Sequence, residues 1–403
     1  MSPQASPSTR LPALDWMRGL VMVLMTLDHA SHVFNGAAVS QDSYLFWANG
    51  ADLTPSGTPW AFLTRWITHL CAPTFLFLAG ISAALAIASR QAKGLSEERI
   101  SAYLASRGGL LILLELWMWI AWPAQVLQVL YAIGVSFLAL SVLRFLPIWS
   151  TVALALLWIV AGEACVVALG LRPEGLGFQP PAPGWAALSI VPRFDQLTHG
   201  PTWMGVELLG IRMLNYPFAT WLAILLLGHA FGRWLVAERQ SSNLPARAGR
   251  FLMLAGGACL VAFLLLRGFS NYGNFWLERT DASLLRWLQV SKYPASLAFV
   301  LLELGIAGLI LGGMFLLQQR WTRGGDRGLF TVLGQSALAY YLVHAHALRF
   351  VAYMFFDIAP TDAAPFGVAS GWIAGAVCVL VLWPACLGWR TLKRRRRAAQ
   401  AAR

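Results

Sequence analysis

Residues 14–34 read LDWMRGLVMVLMTLDHASHVF, an apolar run long enough to cross a bilayer that still carries Asp15, Arg18, Asp28, His29 and His32. A crossing helix needs about 20 apolar residues, and each ionisable group inside it costs roughly 2.5–3.5 kcal/mol even on lenient insertion scales. At about 100° per residue, Asp15, Arg18, Met22, Met25, His29 and His32 fall on one stripe. Asp28 lies beside that stripe, one turn below His32. A face that is polar at both ends and thioether-lined between them belongs against protein or water and not against lipid. Such intramembrane groups mark function by default.

The rest of the chain is of the same kind. Of 403 residues, 58% are hydrophobic and 12% charged, where soluble domains carry about 25% charged residues; mean hydropathy is +0.61. This specifies an all-α, polytopic transmembrane helix bundle with a single membrane domain at 13–390. A short N-terminal tail (1–12) and a basic C-terminal tail (391–403) flank it. The 19 Trp suit the amphipathic belts at the two membrane surfaces. A net charge of +12 reads as Lys and Arg retained on the cytoplasmic side, not as a nucleic-acid surface. The run from Lys393 to Arg397 fits anionic inner-leaflet lipid. Cys71, Cys165, Cys259, Cys378 and Cys386 sit in apolar runs without metal-ligand spacing, so neither a metal site nor a disulfide framework is predicted. The Ser/Pro-rich N-terminus lacks the pattern of a cleaved signal peptide, and the first span is expected to serve as the insertion signal.

Hydropathy predicts about ten spans, at roughly 13–34, 60–88, 104–122, 125–145, 148–170, 217–237, 250–268, 294–318, 329–352 and 366–389. With the N-terminus inside, 21 of the 30 Lys and Arg fall at cytoplasmic ends. Both termini are therefore expected in the cytoplasm. Of the loops on the other side, 171–216 and 269–293 are long enough to be functional.

On this topology the titratable groups gather at one depth. His29 lies about 16 Å beyond Arg18 along the helix, past the bilayer midpoint. Arg65 and His69 share a face in the outer half of the second span. Glu115, Gln125, Gln128, Glu163, Tyr340, His344 and His346 are outer too, with Lys292 and Tyr293 at the outer mouth of the eighth span. The expectation is a polar cavity ringed by Asp28, His29, Arg65, His69, Glu115 and His344. Glu303, mid-span, and His229, in an inner half, stand apart, each with interhelical packing as its plainer explanation. Asp15 with Arg18 reads either as an ion pair at the inner interface or as part of an anionic donor's site.

No nucleophile elbow, phosphate loop or HExxH occurs. Histidine is the natural general base near neutral pH, which makes His29 and His69 the candidate bases. Asp28 and His29 are adjacent in sequence and so point about 100° apart on a helix. Asp28 is thus badly placed to bond the ring of His29 and is expected to pair with His32 or Arg65. For His29 and His69 the alternative is a polar clamp between the first two spans.

The segment from Leu14 to Leu20 (LDWMRGL), followed by LMTLDH ending at His29, resembles the first span of the heparan-alpha-glucosaminide N-acetyltransferase family, in its bacterial branch. TRWITHLCAP (Thr64 to Pro73) with TFLFLAG is similar to that branch's second motif. LQVLYAIG (Leu127 to Gly134), YPFATWLAILLLGHAFG (Tyr216 to Gly232), SKYPASLAF (Ser291 to Phe299) and GQSALAYYLVHAHAL (Gly334 to Leu348) resemble it further, so the likeness runs along nearly the whole chain. The resemblance implies a transmembrane acyltransferase that takes acetyl from acetyl-CoA, or acyl from another acyl-CoA, on the cytosolic side. It delivers that group to an amine or hydroxyl of a sugar or glycan on the other. His29 matches a polar active-site position of the eukaryotic relatives. The histidine those relatives carry before the second span has no clear counterpart near Pro59, and His69 stands where relatives often have an acidic residue.

The roles that follow are Asp28, His29 and His69 for catalysis, and Arg65, Glu115, Gln128, Lys292, Tyr293 and His344 for the acceptor. Arg18 and Arg107, with Arg90 or Lys93, would hold the donor's phosphates. Partners are the lipid bilayer, acyl-CoA and the glycan acceptor, with self-association left open. Two other classes compete. A transporter or flippase for a small polar or lipid-linked molecule also needs a polar cavity in a bundle. A proton-coupled or purely structural membrane protein needs no substrate, and replacing His29 or His69 in it would alter stability alone.

Overall fold

The computed structural model describes residues 11–35, 59–118, 126–168, 213–214, 218–269, 272–275, 277, 283–292, 295–318, 320, 327–358 and 366–401. The elements in chain order are α1 (Pro12–Phe34), α2 (Pro59–Thr68), α3 (Cys71–Gln91), α4 (Glu97–Met118), α5 (Val129–Leu143) and α6 (Ile148–Ala168). They continue with α7 (Phe218–Ala237), α8 (Leu244–Phe269), α9 (Leu284–Leu288), α10 (Leu297–Gln318), α11 (Leu329–Gln335), α12 (Ala337–Phe356) and α13 (Val368–Ala401). The described extended structure is one two-residue parallel pairing, β1 (Val126–Leu127) with β2 (Met213–Leu214), and an isolated bridge between Lys292 and Ala295.

The protein is therefore an all-α, membrane-type bundle. Among the described residues, seven helical stretches are long and apolar enough to cross a membrane: Pro59–Gln91, Glu97–Met118, Ile148–Cys165, Phe218–Ala237, Leu244–Phe269, Leu297–Gln318 and Val368–Lys393. Three further expected spans fall outside that set. Helix α5 is short, at 15 residues. Helices α1 and α12 have the length, 23 and 20 residues, but their apolar runs are interrupted by Asp15, Arg18, Asp28, His29 and His32 in one and by His344, His346 and Arg349 in the other.

Helix α1 is the axis of the fold and touches α2, α3, α10, α11, α12 and α13. Lipid tails are as apolar as leucine, so helices in a membrane associate through close packing, and small residues permit it. A Cβ on Gly19 would lie 2.0 Å from the Phe330 carbonyl oxygen, and one on Gly334 would lie 1.9 Å from that of Asp15. Helices α1 and α11 thus meet backbone to backbone. The same device joins α3 to α7 at Gly80 and Gly228, and α8 to α10 at Gly256 and Gly305.

Two expected spans are interrupted. The second is α2 followed by α3, parted by a turn at His69 and Leu70. Pro73 lacks the N–H that would bond the His69 carbonyl, so the helical ladder cannot run through this point. The ninth is α11 followed by α12, parted at Ser336. The last helix runs unbroken to Ala401, across the expected boundary between membrane domain and basic tail.

Candidate functional site

The polar groups of the C-terminal half of α1 find partners on three other helices. Arg65 of α2 donates to Oδ1 of Asp28 at 2.7 Å, and the Thr68 hydroxyl donates to the same oxygen at 2.7 Å. The Asp28 and Arg65 side chains are 15% and 7% exposed. A charge-assisted pair this well sheltered is held far more firmly than a surface one. Of the two partners expected for Asp28, Arg65 bonds it directly and His32 acts on it electrostatically.

His29 turns the other way, as its 100° offset requires. Its Nδ1 lies 2.8 Å from Nε2 of His344 on α12, and the two ring planes differ by 11°. A centroid separation of 4.9 Å combined with that short nitrogen–nitrogen contact means the rings meet edge to edge in a common plane, as a linear N–H···N bond demands. Nδ1 of His344 lies 3.1 Å from the backbone oxygen of Tyr340, one turn back. Tyr340 and Thr26 bring the helices together a turn lower: the Thr26 hydroxyl donates to the Met22 carbonyl at 2.8 Å and lies 2.7 Å from the Tyr340 hydroxyl. Having spent its own proton on Met22, Thr26 accepts the one from Tyr340.

Two residues from beyond the expected ring join this cluster. Lys292, 3% exposed, interacts electrostatically with Asp28, His29 and Glu303. Glu303 on α10 is 1% exposed, and its Oε1 has no hydrogen-bond partner among the described residues. Cys71, at the start of α3, feels Asp28, Lys292, Glu303 and Arg65, and its thiol donates to the Val21 carbonyl at 3.6 Å. His69, buried beside the α2–α3 break, presents its ring edge-on to Phe299 of α10, with centroids 5.7 Å apart.

Other expected site residues lie elsewhere. Glu115 belongs to the start of α5: its Oε2 accepts the Tyr131 N–H at 3.0 Å, and the Gln128 and Leu130 N–H groups also donate to it. The bonds described for it run to this backbone and not to the histidine pair. A carboxylate there satisfies the otherwise orphaned first donors of a helix and complements its dipole. Gln128 is the N-cap of that helix and contributes its backbone N–H to the same arrangement. Glu163 does the equivalent work for a turn, accepting from the N–H groups of Phe275, Gly273 and Asn274. Tyr293 lies outside the described residues, as does Gln125.

At the other end of α1, Arg18 donates to Asp15 at 3.0 Å and to Ser82 of α3 at 2.6 Å. Of the two readings of Arg18 this geometry is the ion pair. Arg107 is exposed on α4, near a Tyr103 ring over which Arg90 lies at 3.3 Å from the centroid. His346 stacks on Trp117, centroids 4.2 Å apart, and His229 is buried where α7 crosses Gly80.

No family model matches this sequence, and no match is found among curated proteins.

Proposed function

We propose that this chain is a multi-pass acyltransferase of the bacterial inner membrane, with about ten spans and both termini in the cytoplasm. It moves an acetyl or longer acyl group from cytoplasmic acyl-CoA to an amine or hydroxyl of a sugar or glycan arriving from the periplasmic side. The observation that carries the reading is the His29–His344 bond beside the Asp28–Arg65 pair, a histidine held in place on a polar helix face. Histidine so oriented suits general-base work near neutral pH. The motif resemblance along the chain supports the same class of reaction.

In this reading His29 takes the proton of the acceptor O–H or N–H as its heteroatom attacks the thioester carbonyl. The tetrahedral intermediate collapses with cleavage of the C–S bond. The departing CoA sulfur then takes up a proton, leaving acylated acceptor and free CoA. Lys292 and Arg65 set the electrostatics of the acceptor pocket, and His69 lines it from the α2–α3 break. Donor phosphates are assigned to Arg107 with its neighbour Arg90, since Arg18 is committed to Asp15 and Ser82.

The test is radiolabelled acetyl-CoA presented to the purified protein in nanodiscs with an envelope glycan fraction. Label transfer and release of free CoA are expected, both lost in His29→Ala. Binding of no acetyl-CoA and labelling of no glycan overturns the reading.

One observation favours a carrier instead: two spans are discontinuous, at His69–Leu70 and at Ser336, a feature of many transporters. Single turnover separates the two, because a carrier releases no free CoA.

A further inference from the structure

The contacts around His344 determine where the protons of the histidine pair reside. A backbone carbonyl can only accept, so Nδ1 of His344, 3.1 Å from the Tyr340 oxygen, must be the nitrogen that carries hydrogen. In a neutral imidazole the other nitrogen is then a bare acceptor. That nitrogen, Nε2, faces Nδ1 of His29 at 2.8 Å. Two lone pairs do not approach so closely, so Nδ1 of His29 carries hydrogen and donates. Nε2 of His29 is left with its lone pair.

We infer that His344 is a positioning residue, which through the Tyr340 carbonyl fixes His29 in the tautomer that presents its basic nitrogen, Nε2, away from α12. This rests on the acyltransferase reading for what Nε2 does, but not for which nitrogen is bare. It also changes the role of His344, expected from sequence to contact the acceptor. The geometry is well braced. His344 is 0% exposed, parallel to the Tyr340 ring within 3° at 5.4 Å, and edge-on to Tyr341 at 5.7 Å. The Tyr340 ring is in turn anchored by its bond to Thr26 of α1. Among the described residues, Asp28, His32 and Lys292 also act on His29 electrostatically. Asp28 bonds Arg65 and Thr68, and His344 is the acceptor whose own orientation is dictated by backbone. A hydrogen-bond partner that selects the tautomer of a functional histidine is a recurrent device in protein sites.

The experiment is nitrogen-15 NMR of histidine-labelled full-length protein in nanodiscs, with His29→Asn to assign the signals. The expected spectrum shows His29 with Nδ1 protonated and Nε2 bare. His344→Leu, which removes the acceptor and keeps the bulk, should shift His29 toward the Nε2–H form. His344→Gln, whose side-chain oxygen can accept from Nδ1, should hold the original form. In CoA release from acetyl-CoA, His344→Leu should lower kcat by at least about tenfold at unchanged KM, with His344→Gln recovering most of it. An Nε2–H tautomer in the wild type, a doubly protonated His344, or a His29 tautomer indifferent to His344→Leu each overturns the inference. The wild-type spectrum decides even where His344→Leu fails to fold. Absence of acetyl-CoA turnover in the wild type overturns the acyltransferase reading and leaves the spectral result to stand.

Discussion

The two ends of α1 use nearly the same residues to opposite effect. The N-terminal end has Asp15 and Arg18, a pair three residues apart whose side chains are 11% and 23% exposed. Around it α1 and α11 touch through backbone at Gly19 and Gly334. Polar bonds there fasten a joint that is already closed: Trp16 to Thr331 at 3.0 Å, and the Ala13 N–H to Gln318 at 3.1 Å. The C-terminal end has Asp28 and Arg65, 37 residues apart, and toward α12 the connection runs through side-chain tips, His29 to His344 and Thr26 to Tyr340. Where backbones touch, no room remains for a guest. Where helices are held by long side chains, it is polar atoms that meet between them. The kind of contact, more than the residue types, separates scaffold from candidate site.

Three substitutions bear on that contrast. Asp28→Ala leaves a sheltered guanidinium without its carboxylate and should cost about 3–5 kcal/mol. Thermal unfolding in nanodiscs would show it, and adding Arg65→Leu should recover much of the loss. A fall in stability no larger than that of a surface pair would mean the C-terminal end is not built around this bond. Gly334→Ala drives a methyl group into the Asp15 carbonyl and should fall at or above the top of the roughly 1–3 kcal/mol range of overpacking. A wild-type melting temperature would show that α1 and α11 part readily. Arg18→Ala leaves the buried Asp15 carboxylate without this cation and should cost about 1–3 kcal/mol, with the His29 NMR signals unmoved. A shift at His29 would couple the two ends.

Much of α1 is legible from sequence because helical periodicity is a local property. The 100° step places His29 on the polar stripe and bars Asp28 from its ring, and in the structure His29 bonds His344 while Asp28 bonds Arg65. The partner of a buried carboxylate is not local. Glu115 and Asp28 look alike as acids in apolar runs, yet Glu115 receives the backbone N–H groups opening α5 and Asp28 receives a guanidinium. Backbone donors leave no mark in the side-chain pattern. Glu303 was set apart by its depth along a straight span and shares the electrostatic cluster with Lys292. The interruption at His69 has a readable cause in Pro73, three residues after Leu70. The glycines that join α1 to α11 lie 315 residues apart in sequence and carry no pairing signal of their own.

Ser336 sits between two fastenings. Below it, Gly334 is pressed onto α1; above it, Tyr340 and His344 are tied to the same helix. A bend secured on both flanks to one rigid member behaves as a bracket and not as a hinge. Any rocking motion that opens the bundle would leave α1, α11 and α12 travelling as one piece, with the pivot placed elsewhere.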